Sequence, residues 1–134
     1  MIKYRVVLDT NIYLSGIIFG GNCRRILDLV IEKKVISFTS TPILLELSEK
    51  LDRKFHWNKG QIITTVKFIS KTVSLVFPKQ KLDVIKMDKS DNKIIEAAVT
   101  ADSDFIVTGD NHLLKVKRFN DIKIVSPAQF LKLL

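Results

Sequence analysis

Cysteine and histidine are scarce in this chain of 134 residues, which contains one cysteine and two histidines. The lone cysteine, Cys23, cannot form an internal disulfide. Neither Cys23 nor His56 nor His112 has the cysteine or histidine partners in sequence from which zinc sites are usually built. The composition therefore excludes a disulfide-stapled fold, argues against a zinc site and fits a reducing compartment such as the cytoplasm.

Long apolar runs are absent as well. The longest stretch without a charged residue, Thr10 to Cys23, is shorter than the roughly 18 residues that indicate a membrane span. Charges at Lys3, Arg5 and Asp9 also leave no room at the start for the apolar region of a secretory leader. We therefore expect a cytoplasmic protein with no membrane segment.

Glycine and proline are few, with five and three residues, and they form no linker, repeat or low-complexity segment. Nothing in the sequence marks a domain boundary. The chain is close to the common size of one domain, and 46% of its residues are hydrophobic against 27% charged. We therefore expect a single domain over residues 1–134, folded around one hydrophobic core.

Positive charge is what the chain has in excess. Twenty-two lysines and arginines against 14 aspartates and glutamates give a formal net charge of +8. Such a charge favours association with a polyanion, including nucleic acid. The basic residues are nevertheless scattered along the whole chain, which also fits a surface that serves solubility. Charge alone does not decide between these two interpretations.

Short apolar runs alternate with segments of helical periodicity, which predicts a three-layer α/β/α fold with a mostly parallel central sheet. Two helix starts are marked by capping residues, Thr41 before Pro42 and Ser126 before Pro127. Ser90 is the expected cap of a third helix. The predicted strands are 5–9, 35–39, 73–77, 105–108 and 122–125, and the predicted helices are 10–19, 24–34, 59–71, 91–101 and those opening at Thr41 and Ser126.

Acidic residues occupy the positions where an α/β sheet collects its ligand-binding groups, beyond the carboxyl ends of the strands. Asp9 closes the first strand, and Asp110 follows the strand that ends at Thr108. Asp91 opens a helix, and Glu46 lies in the second turn of the helix that begins near Thr41. If the two strands are neighbours, these carboxylates converge and repel one another unless a cation is bound.

A cluster of hard oxygen ligands selects Mg²⁺ or Mn²⁺. Such an ion can activate a water molecule and neutralise the charge of a phosphodiester, while lysines and arginines hold the flanking backbone. Taken singly, each acid has a structural alternative as a cap, a turn residue, a helix-start charge or a solvated helical glutamate. The joint occurrence of the acids in this order favours a metal-dependent nuclease.

Two end motifs, Val6-Val7-Leu8-Asp9-Thr10-Asn11 and Ile106-Val107-Thr108-Gly109-Asp110, resemble those of the PIN-domain family. Between them, Ser40-Thr41-Pro42-Ile43-Leu44-Leu45-Glu46 and Asp91-Asn92-Lys93-Ile94-Ile95-Glu96-Ala97-Ala98 are similar to its second and third acidic motifs. The resemblance covers nearly the whole chain. It is nearest to the VapC-like toxins of prokaryotic toxin–antitoxin pairs.

The resemblance implies an endoribonuclease whose Mg²⁺ or Mn²⁺ is bound by four acids. It also implies an RNA substrate, an antitoxin protein as partner and a homodimer as a plausible assembly. Asn11 and Thr108 are expected to support the site by hydrogen bonding. The four acids implied as catalytic and metal-binding residues are Asp9, Glu46, Asp91 and Asp110.

The third acidic motif departs from the denser run of acids that relatives often have, since this chain has Asp88-Lys89-Ser90-Asp91. Either Asp88 or Asp91 could face the metal, and we select Asp91 because it directly precedes the apolar helix. Asp104, just before the strand that begins at Phe105, is a further acid expected near the site as an additional ligand or a supporting group.

Two alternatives remain open at this point. The chain could be a catalytically inactive PIN-like module that binds RNA or a protein without cutting. It could also be a phosphatase-like α/β enzyme with Asp9 as a covalent nucleophile. The nucleophile motif of such phosphatases usually has a second acid two residues later, where this chain has Asn11, which argues against that alternative.

Overall fold

Six strands form one sheet in the computed structural model, which describes residues 3–82 and 91–134. Their order across the sheet is third, second, first, fourth, sixth, fifth, and all neighbours are parallel except the last pair. The strands are β1 Arg5–Leu8, β2 Ile36–Ser40, β3 Ser74–Val76, β4 Phe105–Val107, β5 Arg118–Phe119 and β6 Ile122–Val125.

Helices connect the strands and cover the sheet. None of the helices in the described ranges combines the length and the apolar character needed to cross a membrane. The helices are α1 Thr10–Ile18, α2 Gly21–Ile31, α3 Thr41–Arg53, α4 Lys59–Thr72, α5 Asn92–Thr100, α6 Asn111–Val116 and α7 Pro127–Lys132.

The two faces of the sheet are covered by different helices, because side chains alternate along each strand. Val6 and Leu8 of β1 pack in a core with residues of α1, α2, α4 and α7. Val7, between them, packs in a second core with residues of α5 and α6. Both cores contain side chains that are fully excluded from solvent. The predicted three-layer α/β/α architecture is confirmed.

The centre of the sheet is the parallel pair β1 and β4, in which Val6 lies opposite Phe105 and Leu8 opposite Val107. From β1 the chain continues outward to β2 and β3 on one side, whereas β4, β6 and β5 lie on the other. Loops at the carboxyl ends of β1 and β4 therefore diverge, and they leave a crevice of the kind in which α/β proteins bind ligands.

Element boundaries agree with the sequence prediction except in a few places. The cap of α3 is Ser40, one residue before the predicted Thr41. The helix α2 begins at Gly21, three residues earlier than predicted, and the helix α6 and the strand β5 were not predicted. The capping box of Ser126 is present as expected. Ser90, the predicted cap of α5, lies outside the described residues.

Candidate metal centre

Asp9 and Asp110 are joined by a hydroxyl group at the carboxyl edge of the sheet. The Thr108 Oγ1 donates a hydrogen bond of 2.7 Å to the Asp9 Oδ2 and accepts one of 3.0 Å from the Asp110 backbone N–H. Thr108 and Asp9 are both buried. Because β1 and β4 are neighbours, the acids that follow them converge, and Thr108 fixes the Asp9 carboxylate between the two strand ends.

A second group of ligand atoms surrounds Asp110. One carboxylate oxygen of Asp91, one of Asp110 and a ring nitrogen of His112 all lie within 4.8 Å of one another. Asp91 and Asp110 are the N-cap residues of α5 and α6, so the starts of two helices face each other here. The alternative acid, Asp88, lies outside the described residues.

His112 was not selected from the sequence as a site residue, and the structure places it beside two carboxylates. The Asp110 Oδ1 accepts a hydrogen bond of 2.7 Å from the His112 backbone N–H, which caps α6. This turn brings the His112 Nδ1 to 3.8 Å from the same oxygen. The detectable signal was the spacing: in a capping turn after a strand, the side chain two residues beyond the aspartate lies beside it.

Glu46 reaches the site from α3 and is held by lysines. The Lys93 Nζ is 2.7 Å from the Glu46 Oε2, and the Lys50 Nζ is 3.9 Å from the Oε1. Burial raises the pKa of Glu46, but the bond from Lys93, the Thr10 hydroxyl and the charges of Lys93 and Lys50 together leave it below its ordinary 4.5. Glu46 is therefore ionised and partly neutralised by its neighbours.

Asp9 has the opposite electrostatic environment. Burial raises the pKa of its carboxyl group above the ordinary 3.8, and the negative charges of Glu46 and Asp110 raise it further. The hydrogen bond from Thr108 and the charge of Lys50 lower the pKa but do not offset these effects. Asp9 is thus near enough to Glu46 and Asp110 to be repelled by both, although in the described ranges neither Asp9 nor Glu46 belongs to the group of ligand atoms within 4.8 Å that Asp91, Asp110 and His112 form.

Asn11 contacts the margin of the site. Its Oδ1 accepts a hydrogen bond of 3.0 Å from the Lys50 Nζ, and its side chain is exposed. Lys50 in turn lies beside Glu46. The hydrogen bond of Asn11 thus orients a lysine, whereas that of Thr108 orients an acid.

Asp104 does not join the other acids, and the expectation that it lies near the site is wrong. Its Oδ2 accepts a hydrogen bond of 2.8 Å from the backbone N–H of Arg5, the first residue of β1. An acid that precedes a parallel strand lies at the amino edge of the sheet, opposite the carboxyl edge where Asp9 and Asp110 converge. Asp104 is therefore a structural residue of the strand pair.

The donor set fits a divalent cation. Asp9 and Asp91 are buried and Asp110 is half-buried, so their charges cannot be dispersed fully by water. Carboxylate oxygens are the ligands of Mg²⁺ and Mn²⁺, and imidazole is accepted by the transition metals. Burial is the main cause of the raised pKa of Asp9, and the negative charges of Glu46 and Asp110 add to it.

The chain matches a known protein family and a relative of similar length. Residues 5–112 match the family described as PIN domain. The uncharacterised protein MJ1680 of Methanocaldococcus jannaschii is 33% identical over 145 aligned residues, which cover 98% of this chain and 92% of that protein.

Two solved structures share the fold at low sequence identity. VapBC2 from Rickettsia felis, bound to a DNA fragment from its promoter, contains a chain that is 17% identical with a TM-score of 0.64, and the match covers 91% of this chain and 98% of that one. VapBC-1 from nontypeable Haemophilus influenzae contains one that is 15% identical with a TM-score of 0.65, covering 92% and 98%. Because residues 5–112, most of the chain, match the PIN domain family, this chain belongs to that family.

Proposed function

We propose that this chain is an endoribonuclease that depends on Mg²⁺ or Mn²⁺ and hydrolyses phosphodiester bonds in RNA. The observation that carries the proposal is the convergence of four acids from distant parts of the chain at one edge of the sheet. Asp9 interacts electrostatically with Glu46 and Asp110, and Asp110 lies beside Asp91. Folding such a cluster costs stability, and a bound cation would remove that cost.

Asp91 and Asp110 would hold the cation together with Asp9, whose second oxygen is oriented by Thr108. Glu46 would complete the set when Lys93 releases it. Mg²⁺ or Mn²⁺ at such a site supplies charge neutralisation at a phosphate and activation of water for attack on phosphorus. The residues of the chain itself would hold the carboxylate oxygens in fixed orientations and keep the site negatively charged.

Lys50 and Lys93 provide the means to hold a polyanion next to the acids. Both side chains are partly exposed, at 25% and 17%, and both can exchange Glu46 for a phosphate oxygen of the substrate. The net charge of +8 adds a general attraction for nucleic acid. The choice of RNA as substrate rests on the resemblance to VapC-like toxins.

A toxin–antitoxin partnership is the second part of the proposal. Support comes from the likeness to chains of VapBC structures. A largely apolar groove of about 370 Å³ between α1, α2 and α4, lined by Ile17, Leu27, Ile31 and Phe68 with Arg24 at its border, could receive an apolar segment of an acidic antitoxin. Light scattering of the chain alone and mixed with a candidate antitoxin tests this. A complex of the two proteins is expected, whereas a homodimer of the chain alone would indicate that a second copy occupies the groove.

The nuclease proposal is tested by incubating the purified chain with total RNA and with single-stranded DNA in Mn²⁺, in Mg²⁺ and in EDTA. RNA cleavage is expected with either metal and not in EDTA. Asp9→Asn and Asp110→Asn should lose it while keeping the wild-type circular dichroism spectrum, and Asp104→Asn is the matched control that should cleave normally. Tight RNA binding without cleavage in any metal would reject the proposal in favour of an inactive RNA-binding module.

A further inference from the structure

Among the described residues, His112 is the one ligand-type side chain near the acids that the proposed nuclease does not yet use. It lies in the first turn of α6, where its backbone N–H is bonded to the Asp110 carboxylate. Its side chain is 38% exposed, and a ring nitrogen approaches the same carboxylate at 3.8 Å. Leu113, the next residue, is fully buried and anchors this turn on the sheet. The imidazole is thus held beside the acids and is open to solvent.

The spacing of the donor atoms suits one ion. Two ligands at about 2.1 Å from a metal lie about 3 Å apart when adjacent and about 4.2 Å apart when opposite in octahedral coordination. The donors of Asp91, Asp110 and His112 lie within 4.8 Å of one another. Small side-chain rotations therefore bring all three to bonding distance, without movement of α5 or α6.

A nitrogen ligand changes which metal the site prefers. Mg²⁺ is bound through oxygen and keeps much of its water, whereas imidazole is a good ligand for first-row transition metals, whose affinity rises from Mn²⁺ onward. A site with three carboxylates and no nitrogen would show little such preference. One imidazole beside the carboxylates is enough to favour Mn²⁺ over Mg²⁺.

On the basis of the metal-dependent function proposed above, we infer that His112 binds the cation through a ring nitrogen together with Asp91 and Asp110. The centre accordingly selects Mn²⁺, or a related transition-metal ion, over Mg²⁺. His112 therefore influences which metal ion the site binds, and this preference can be measured without any nuclease substrate.

The test is pulsed electron paramagnetic resonance of the chain loaded with Mn²⁺, with calorimetric titration of Mn²⁺ and Mg²⁺. Wild-type protein should show the coupling of a directly bound ¹⁴N nucleus. His112→Gln should lose that coupling and bind Mn²⁺ about tenfold more weakly, with a change below about twofold for Mg²⁺. His56→Asn, at an exposed histidine with φ of 55°, is the matched control and should behave as wild type.

His112→Asp provides a second variant that keeps a ligand at this position. Its oxygen donor should preserve cation binding but shift the preference toward Mg²⁺, which a merely structural histidine would not predict. Mn²⁺ bound without nitrogen coupling, or equal Mn²⁺ affinity in wild type and His112→Gln, would overturn the role of His112 and leave the nuclease proposal standing. Failure of the wild-type chain to bind either cation would overturn both.

Discussion

Charged residues lie at both ends of the strands β1 and β4, but they have opposite effects at the two edges of the sheet. At the amino edge, Asp104 accepts a hydrogen bond from the backbone of Arg5, and the Arg5 guanidinium donates to the carbonyl of Ala101 at 2.6 Å and packs over the ring of Phe38. At the carboxyl edge, Asp9 and Asp110 carry like charges. Charged groups thus hold the strands together at one edge and repel one another at the other.

The difference separates residues that serve the fold from residues that serve a ligand. Arg5 and Asp104 at the amino edge each have hydrogen-bond partners within the chain, so a mutation of either should reduce stability. At the carboxyl edge the acids exceed the nearby cations, so a mutation should reduce ligand binding and leave stability equal or higher. The four predictions that follow test this contrast, from the largest expected effect to the smallest.

Asp9→Asn should reduce RNA cleavage by more than about a hundredfold, because it removes a proposed metal ligand, whose loss should cost at least as much as that of a supporting group. In EDTA its free energy of unfolding should equal or exceed that of wild type, since a buried and repelled charge is gone. Asp104→Ala should cleave normally but lose about 1 kcal/mol of stability with its hydrogen bond. Cleavage assays and urea denaturation measure both; a normal rate in Asp9→Asn would contradict the contrast.

Mn²⁺ should stabilise the chain through the carboxyl edge alone. At a concentration of about one hundred times the dissociation constant, a ligand specific for the folded state adds about 2.7 kcal/mol, and chelation should remove this gain. Asp110→Asn should lose most of the stabilisation, whereas Asp104→Asn should keep all of it. Scanning calorimetry with and without EDTA decides, and an equal gain in both variants would show that Mn²⁺ binds elsewhere.

Lys93→Met should increase the affinity for Mn²⁺. Lys93 neutralises Glu46 at 2.7 Å in the absence of a cation, and a divalent ion must compete with it for the same carboxylate. Removing an ion pair that contributes about 1 kcal/mol corresponds to a gain of about fivefold in the affinity for Mn²⁺. Lys123→Met, an exposed lysine on β6 near the amino edge, is the control. Calorimetric titration that finds unchanged or weaker binding in Lys93→Met would exclude this competition.

Stability in EDTA should depend on pH through Asp9 and Glu46 with opposite signs. The pKa of Asp9 is raised above 3.8, so the folded state holds the proton longer and stability falls as pH rises through the interval above that value. Glu46, lowered from 4.5, stabilises above that pH, and this contribution is lost as pH falls through its folded pKa.

The Asp9 effect is isolated by following the unfolding free energy of Asp9→Asn and wild type in urea from about pH 4 upward. The variant should gain stability relative to wild type as pH rises. A difference that does not change with pH would mean that Asp9 titrates alike in the folded and unfolded chains.

Local signals explain why most of the fold could be predicted from the sequence. The strand that ends at Leu8 and the capping box of Ser126 each depend on side chains adjacent in sequence. The strand β5 could not be predicted because it has two residues, too few for a pattern, and forms through pairing with β6. The cap at Ser40 was missed by one residue because serine and threonine stand side by side, and neither the spacing nor the proline distinguishes them.

The site was less predictable because it depends on the relative direction of neighbouring strands and on the geometry of the turns that follow them. Asp104 and Asp110 both flank β4, and only the parallel pairing with β1 shows which of them lies on the same edge as Asp9. His112 joins the acids through a capping turn whose geometry is set by Asp110, two residues earlier. The roles of the single acids as metal ligands stay predictions.

The most direct measurement is a crystal structure of the chain grown with Mn²⁺, with the ion located by its anomalous scattering. A single strong peak is expected within bonding distance of Asp91 and Asp110 and beside Asp9, and it should be absent from crystals of Asp110→Asn. Peaks confined to the amino edge or to the molecular surface, with the carboxyl edge unoccupied at saturating Mn²⁺, would contradict the assignment of these acids to a metal centre.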